Sequence, residues 1–73
     1  MSIIHEFSKN SQEKVIIQFQ EYKGNEYLDI RVFYDPGGSN AEFRATPKGL
    51  KLNPDLLPEL LQGLKKAAEI LKE

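Results

Sequence analysis

The sequence predicts an α+β protein in which a four-stranded antiparallel curved sheet is followed by one C-terminal helix, with two chains forming a homodimer. Apolar and polar residues alternate through residues 14–34, which is typical of strands, and leucine recurs at helical spacing in the C-terminal part. A chain of 73 residues without cysteine forms one domain and no disulfide. We therefore expect self-association to supply stability that so small a core lacks.

Composition and residue types exclude several classes of protein. No apolar run reaches the roughly 20 residues that span a bilayer, and no signal-peptide pattern is present, so we expect a cytoplasmic protein without a membrane partner. Cysteine is absent and His5 is the only histidine, so we expect no metal and no cofactor. The serines lie in the predicted N-terminal tail or a turn, and we expect neither catalysis nor a small-molecule substrate.

The N-terminal half is expected to hold a flexible arm and a hairpin. Residues 1–13, which show no period and end in the polar run 8–13, are assigned to the arm, which leaves residues 14–73 as the folded domain. The first strand covers residues 14–20 and the second covers residues 27–34. The segment between them contains Gly24-Asn25, which suits a turn with positive φ angles.

The C-terminal half is expected to hold two short strands and the helix. A turn over residues 35–40 precedes a weak strand over residues 41–46, and a fourth strand covers residues 50–52. Asn53-Pro54-Asp55 is a helix start, because Asn caps free N–H groups and Pro fits the first helical position. Pro58 predicts a bend or a late start of the helix, which continues to about Leu71.

The helix has more apolar residues than one stripe requires. The first row is expected to cover the chain's own sheet and consists of Leu57, Leu61, Leu64, Ala68 and Leu71. The second row is expected to form the dimer interface and consists of Leu56, Leu60, Gly63, Ala67 and Ile70. The alternative is a single wide face over a curved sheet, and we favour the dimer.

The sheet face opposite the predicted core carries the residues that suggest a function. Alternation places on it Lys14, Gln18, Gln20, Tyr27, Asp29, Arg31, Phe33, Glu42, Arg44, Thr46 and Lys51. Ten Lys and Arg against eleven Asp and Glu give a net charge of −1, but the acids fall mainly in the tail, turns and helix. Basic side chains among aromatic rings suit single-stranded nucleic acid. The alternative is an ordinary solvated face with Asp29–Arg31 and Glu42–Arg44 ion pairs.

Two segments of the chain resemble the positive cofactor four family of transcriptional coactivators. The first runs from Glu21-Tyr22-Lys23-Gly24 to Leu28-Asp29-Ile30-Arg31, and the second is Lys48-Gly49-Leu50-Lys51-Leu52-Asn53-Pro54. The resemblance covers roughly residues 14–71. It implies a homodimer of four-stranded sheets with one helix each, whose sheets bind single-stranded DNA with little sequence preference.

The resemblance also implies roles for individual residues. Tyr22 looks like the hairpin aromatic that stacks on a base, with Lys23 beside it on the DNA backbone, and Lys48 looks like the family's lysine before the strand that leads to the helix. Arg31 looks like the family's strand-two arginine, and Tyr34 looks like the second stacking aromatic. Eukaryotic members have Trp in place of Tyr34 and a more basic first strand, so we expect weaker binding here. Because Tyr34 has the alternation of the core side, it would reach DNA only through a bulge or strand twist, and Phe33 is the alternative second stacking residue.

The sequence therefore predicts a dimer that binds single-stranded DNA, with RNA as an alternative ligand. Its role would lie in transcription regulation, in contact with the transcription machinery, or in replication and repair. The full predicted interface consists of Lys14, Tyr22, Lys23, Arg31, Phe33, Tyr34, Arg44, Lys48 and Lys51. A compact bacterial protein, nucleoid-associated, or a phage protein fits better than a eukaryotic coactivator. The competing hypothesis is a protein-interaction adaptor that uses the apolar helix face or a free strand edge.

Overall fold

The computed structural model describes residues 2–37 and 42–72 as one antiparallel sheet and a C-terminal helix. The strands follow chain order across the sheet: β1 (Ser2–Ser8), β2 (Glu13–Tyr22), β3 (Asn25–Tyr34) and β4 (Arg44–Leu52). A 3₁₀ turn, Pro54–Leu56, leads into α1 (Leu57–Lys72). The predicted fold class of a four-stranded antiparallel sheet followed by one helix is confirmed. The homodimer stays a prediction.

The hairpin of β2 and β3 is the centre of the sheet. Its register pairs Val15 with Val32, Ile17 with Ile30 and Phe19 with Leu28, which places the alternating apolar residues on one side. We call this side, with Leu50 and Leu52 of β4, the apolar face. The hairpin turn has positive φ at Lys23 (52°) and Gly24 (80°), so the second such residue is Lys23 and not the predicted Asn25.

Strand β1 lies where the sequence analysis expected a flexible arm. It pairs antiparallel with β2, for example Phe7 with Val15, and a register shift between Ile3 and His5 interrupts its alternation. That irregularity explains why the segment shows no period in sequence. In the turn to β2, the Asn10 side chain accepts hydrogen bonds from the backbone N–H groups of Gln12 (2.9 Å) and Glu13 (2.8 Å). Its own Nδ2 donates to Glu13 Oε1 at 2.7 Å, which lowers the pKa of Glu13.

Strand β4 joins the two short strands that were predicted over residues 41–46 and 50–52. Gly49 and Ala45 are four residues apart but pair with Arg31 and Phe33, which are two apart, so β4 carries a bulge of two extra residues. The Thr46 hydroxyl donates to the Val32 carbonyl at 2.8 Å inside this bulge. Residues 38–40 of the predicted turn and Ala41, the predicted first residue of the third strand, lie outside the described residues.

The helix begins as predicted but does not pack across its own sheet. Asn53 caps the 3₁₀ turn that leads into the helix by accepting a hydrogen bond from the Asp55 N–H at 2.9 Å. The α-helix itself starts at Leu57, with Pro58 as its second residue, which confirms the predicted late start. However, Leu57 is 40% exposed and Leu64 is 58% exposed. The prediction that the first helical row covers the sheet is therefore wrong, because its leucines are exposed and the main contact of α1 among the described elements is with the 3₁₀ turn that precedes it.

The shape of the chain reflects this uncovered surface. The radius of gyration is 14.0 Å, whereas a compact chain of this length would have about 11 Å. On the apolar face Leu28 is buried, but Val15, Ile17, Ile30 and Val32 are only half-buried because no helix lies over them. No helix in the described part of the chain is long and apolar enough to span a membrane.

Candidate nucleic-acid interface

The side of the sheet opposite the apolar face carries most of the predicted binding residues. We call it the polar face, and the register places on it Lys14, Ile16, Gln18, Gln20, Tyr22, Tyr27, Asp29, Arg31, Phe33, Ala45, Gly49 and Lys51. Contrary to expectation, this face contains the most completely buried side chains, Gln18 (2% exposed) and Asp29 (0% exposed). The polar face is therefore a packed surface, and not a layer of freely solvated side chains.

The structure brings five of the nine predicted binding residues together on the polar face: Lys14, Tyr22, Arg31, Phe33 and Lys51. Lys23 lies beside them in the hairpin turn. Arg44 pairs with Tyr34 and takes the alternation of Leu50, so both residues fall on the apolar side. Arg44 was expected on the polar face. It lies on the other side because residues 44–52 form one strand, in which Arg44 has the same alternation as Leu50. Lys48 lies in the bulge and lines a cavity with Val15, Val32 and Leu50 of the apolar face.

Tyr22 is the centre of an aromatic and cationic cluster at one end of the polar face. Its ring is 58% exposed, and the ammonium groups of Lys23 and Lys51 lie 5.4 Å and 5.8 Å from the ring centroid. Lys51 is also 5.8 Å from the centroid of Tyr27, so one cation lies between two tyrosines. Gln20, Glu21, Tyr22 and Lys51 line an open cavity of about 320 Å³ beside this cluster. We call Tyr22, Lys23, Tyr27 and Lys51 the tyrosine cluster.

A second cationic group lies at the other end of the polar face. Lys14 Nζ is 4.2 Å from the centroid of the Phe43 ring and 2.9 Å from Glu6 Oε1 on β1. The predicted alternation put Glu42, Arg44 and Thr46 on the polar face and therefore Phe43 on the core side, whereas the contact of its ring with Lys14 indicates the opposite alternation. The phase of continuous β4 is the sequence signal that would have placed it correctly. Since Glu6 pairs with Lys14, the tyrosine cluster contributes more unpaired positive charge than this end of the face does.

Arg31 lies near the middle of the polar face and is held by two acceptors. Its Nε is 3.2 Å from both carboxylate oxygens of Asp29, and its Nη2 is 2.8 Å from Oδ1. Nη1 donates to the Thr46 carbonyl in the β4 bulge at 2.9 Å. The hydrogen bonds to Asp29 raise the pKa of Arg31, which stays charged at every physiological pH. The ion pair proposed as the alternative interpretation of this face is thus present for Asp29 and Arg31.

Gly49 faces Arg31 across the sheet, and its missing side chain matters there. A Cβ at this position would lie 2.8 Å from Arg31 Cα and would collide with the Ile30 carbonyl oxygen. Backbone atoms cannot move aside as the end of a flexible side chain can, so β4 approaches β3 closely only with glycine at this position.

We predict that Gly49→Ala destabilises the fold by about 1–3 kcal/mol, the usual cost of inserting an atom into a packed site. The free energy of unfolding in urea measures this. Lys48→Ala, one residue earlier and exposed, serves as the control and should stay within about 0.5 kcal/mol of the wild type. A Gly49→Ala protein as stable as this control would contradict the close approach.

The described residues present no metal site, since no group of three or more His, Asp or Glu side chains among residues 2–37 and 42–72 is placed to hold an ion. The ion pairs of these residues involve Lys9, Lys14 and Arg31. Lys23 and Lys51 lie over aromatic rings instead. Chemically, the polar face therefore offers the exposed ring of Tyr22 for stacking and cations for phosphate.

Comparisons with known proteins agree with this arrangement. A family model described as Transcriptional Coactivator p15 (PC4) matches residues 7–63. Two crystal forms of a PC4 homolog from Burkholderia pseudomallei superimpose with TM-scores of 0.81 and 0.82 at 29% and 27% identity. The alignments cover 92% of this chain and 88% and 96% of those chains. No match was found among curated protein sequences.

A phage protein is also similar. It is described as the bacteriophage T5 homolog of the eukaryotic transcription coactivator PC4, implicated in recombination-dependent DNA replication. It superimposes with a TM-score of 0.56 at 25% identity, over 99% of this chain and 96% of the phage chain. The family match spans well over half of the residues, from β1 into α1, and it includes the tyrosine cluster, Arg31 and the helix start. The chain belongs to the PC4 family of transcriptional coactivators.

Proposed function

We propose that this chain is a homodimeric protein that binds single-stranded DNA through its polar face, largely independently of sequence. The tyrosine cluster is the observation that carries the proposal. An exposed ring flanked by two ammonium groups provides a surface for a base and charges for the phosphates on either side of it. Family membership supports the same ligand, because PC4 proteins are known as single-stranded-DNA-binding coactivators.

The proposed strand crosses the polar face from the tyrosine cluster towards Lys14 and Phe33. Lys23 and Lys51 would contact phosphates at one end and Lys14 at the other, with Arg31 between them. Phe33 is on the polar face but half-buried, whereas Tyr34 is more exposed (38%) but has the alternation of the apolar face. Alanine variants of the two, measured side by side, identify the second stacking residue.

The dimer in this proposal covers two apolar surfaces that one chain leaves open. The helix exposes leucines of both rows, and the apolar face of the sheet is only half-buried. Burying a leucine side chain stabilises a protein by about 1.5–3 kcal/mol, so covering both surfaces with a second copy provides a large driving force for dimerisation. The predicted interface of Leu56, Leu60, Gly63, Ala67 and Ile70 therefore widens to include Leu57, Leu61 and Leu64.

The cellular role in this proposal is regulation of transcription or participation in replication and repair. The bacteriophage T5 homolog is implicated in recombination-dependent DNA replication, which supports the second pathway. Contact with the transcription machinery belongs to the first. Both pathways place the protein in the cytoplasm or at the nucleoid. RNA is the alternative ligand, and an oligo-U competitor of equal length compares it directly with DNA.

The test is titration of a fluorescent oligo-dT at several salt concentrations. If about three or four cations per chain contact phosphates, log affinity falls with log salt with a slope of about −2 to −3. Affinity should then drop roughly 20- to 50-fold between 50 and 200 mM salt. Absence of binding at low salt, or an affinity that does not respond to salt, would refute the proposed interface.

A further inference from the structure

Arg31 has few N–H groups left for a ligand. Guanidinium carries five N–H donors in a fixed plane. The Asp29 carboxylate accepts the single N–H of Nε and one N–H of Nη2, and the Thr46 carbonyl accepts one N–H of Nη1. With respect to the described residues, one N–H on each terminal nitrogen remains. Because the other three are bonded, the plane of the guanidinium is fixed before any ligand arrives.

Asp29 has no exposed surface, and among the described residues Arg31 supplies its side-chain hydrogen bonds. Its neighbour across the β2–β3 pair, Gln18, has a buried Nε2 that no group of the described residues bonds. A buried carboxylate is costly unless it is paired, so the pair with Arg31 is required by the fold. The absence of a side chain at Gly49 leaves the opposite strand close to Arg31.

We propose that Asp29 is a positioning residue of the polar face, which holds the Arg31 guanidinium so that its two remaining N–H groups bind one phosphate of a single strand. The inference rests on the proposed DNA-binding function and adds to it a role for an acidic residue. By charge alone, a carboxylate under a DNA-binding face weakens binding. By geometry, Asp29 strengthens it, because a fixed planar donor loses less conformational freedom when the ligand binds.

The two effects predict opposite signs for Asp29→Asn. Removing a negative charge would tighten oligo-dT binding and steepen its salt dependence if only charge mattered. Losing the fixed guanidinium would weaken binding about tenfold, as expected for one charge-assisted hydrogen-bonded contact, and reduce the slope of log affinity against log salt by about 0.7. We expect the second result.

Arg31→Lys provides a variant that keeps both the charge and the ion pair with Asp29, and it should therefore fold. Lysine cannot present two parallel N–H groups, so we expect a similar loss of about tenfold. The double variant Asp29→Asn with Arg31→Lys should bind no more weakly than the weaker single variant, because both changes remove one contact. Circular dichroism and sedimentation confirm fold and oligomeric state for each protein.

The outcomes separate the two hypotheses. If the wild type binds oligo-dT while Asp29→Asn binds as tightly or more tightly, Asp29 is not a positioning residue and the proposed function stands. If Asp29→Asn does not fold, wild-type affinity in Arg31→Lys overturns the inference by itself. If the wild type shows no binding at low salt, the proposed function and this inference both fail.

Discussion

Leu64→Glu is expected to abolish the dimer and with it most of the folded protein. Leu64 lies near the middle of the apolar side of α1 and is 58% exposed in one chain. In the proposed dimer this side chain is buried, so each chain would lose about 1.5–3 kcal/mol of apolar burial. Each chain would also bury an unpaired carboxylate, which costs several kcal/mol more.

These losses are large compared with the free energy of unfolding of a single chain. A core in a domain of this size rarely supplies more than about 3–5 kcal/mol, so loss of the dimer leaves the single chain close to unfolding. We therefore expect sedimentation of Leu64→Glu to show monomer and its circular dichroism to show loss of sheet at temperatures where the wild type is folded. In the wild type, the midpoint of unfolding should rise with protein concentration, as it does when folding and association are coupled.

Gln62→Glu is the matched control, because it adds the same negative charge to the opposite side of α1. Gln62 is exposed and lies among the charged residues of the helix, so its dimer should resemble the wild type. A dimeric, fully folded Leu64→Glu protein would show that the helix is not part of the dimer interface. A wild type that is a stable monomer would favour the adaptor hypothesis, in which the helix remains free for another protein.

The central hairpin was predictable because local sequence and packing agree there. Alternation with β-branched residues defines β2 and β3, and the register pairs Val15 with Val32 and Ile17 with Ile30 as the pattern requires. The start of the helix was equally clear, since Asn followed by Pro is typical of a cap and the first helical position. Both features depend on residues close together in the chain.

Features that depend on distant contacts were not predictable in the same way. The register shift near Ile4 hides the alternation of β1, and the bulge divides β4 into two apparent strands. Amphipathicity shows that α1 buries one side, but it does not show which surface covers that side. The first row was expected to cover the chain's own sheet, whereas in the structure leucines of both rows are exposed.

In the candidate site, too, features set by local alternation were predicted, and features set by contacts between strands were not. Alternation correctly placed Lys14, Arg31 and Lys51 on one face, and it placed Tyr27 beside them without identifying it as part of a cationic cluster. The ion pair of Asp29 and Arg31 was considered only in the alternative interpretation, as a solvated surface pair. Its complete burial at Asp29 depends on neighbours from other strands, which no local pattern reports.

Tyr22→Leu is expected to cause the largest loss of DNA binding among single changes on the polar face. Leucine keeps apolar volume but has no ring for a base, and stacking contributes about 1–3 kcal/mol per base. Lys23 and Lys51 also lose the ring that they share in the free protein. Together these effects predict an affinity for oligo-dT that is roughly 5- to 150-fold lower at fixed salt.

Tyr22→Phe is the matched control, since it keeps the ring and removes only the hydroxyl group. Because Tyr22 lies in the hairpin and is 58% exposed, both variants should fold and associate like the wild type, so a change in affinity reports on the interface alone. The slope of log affinity against log salt should stay nearly constant, because no cation has been removed. If Tyr22→Leu bound as tightly as Tyr22→Phe, stacking at Tyr22 would be refuted, and binding would have to depend on the cations without the ring between them.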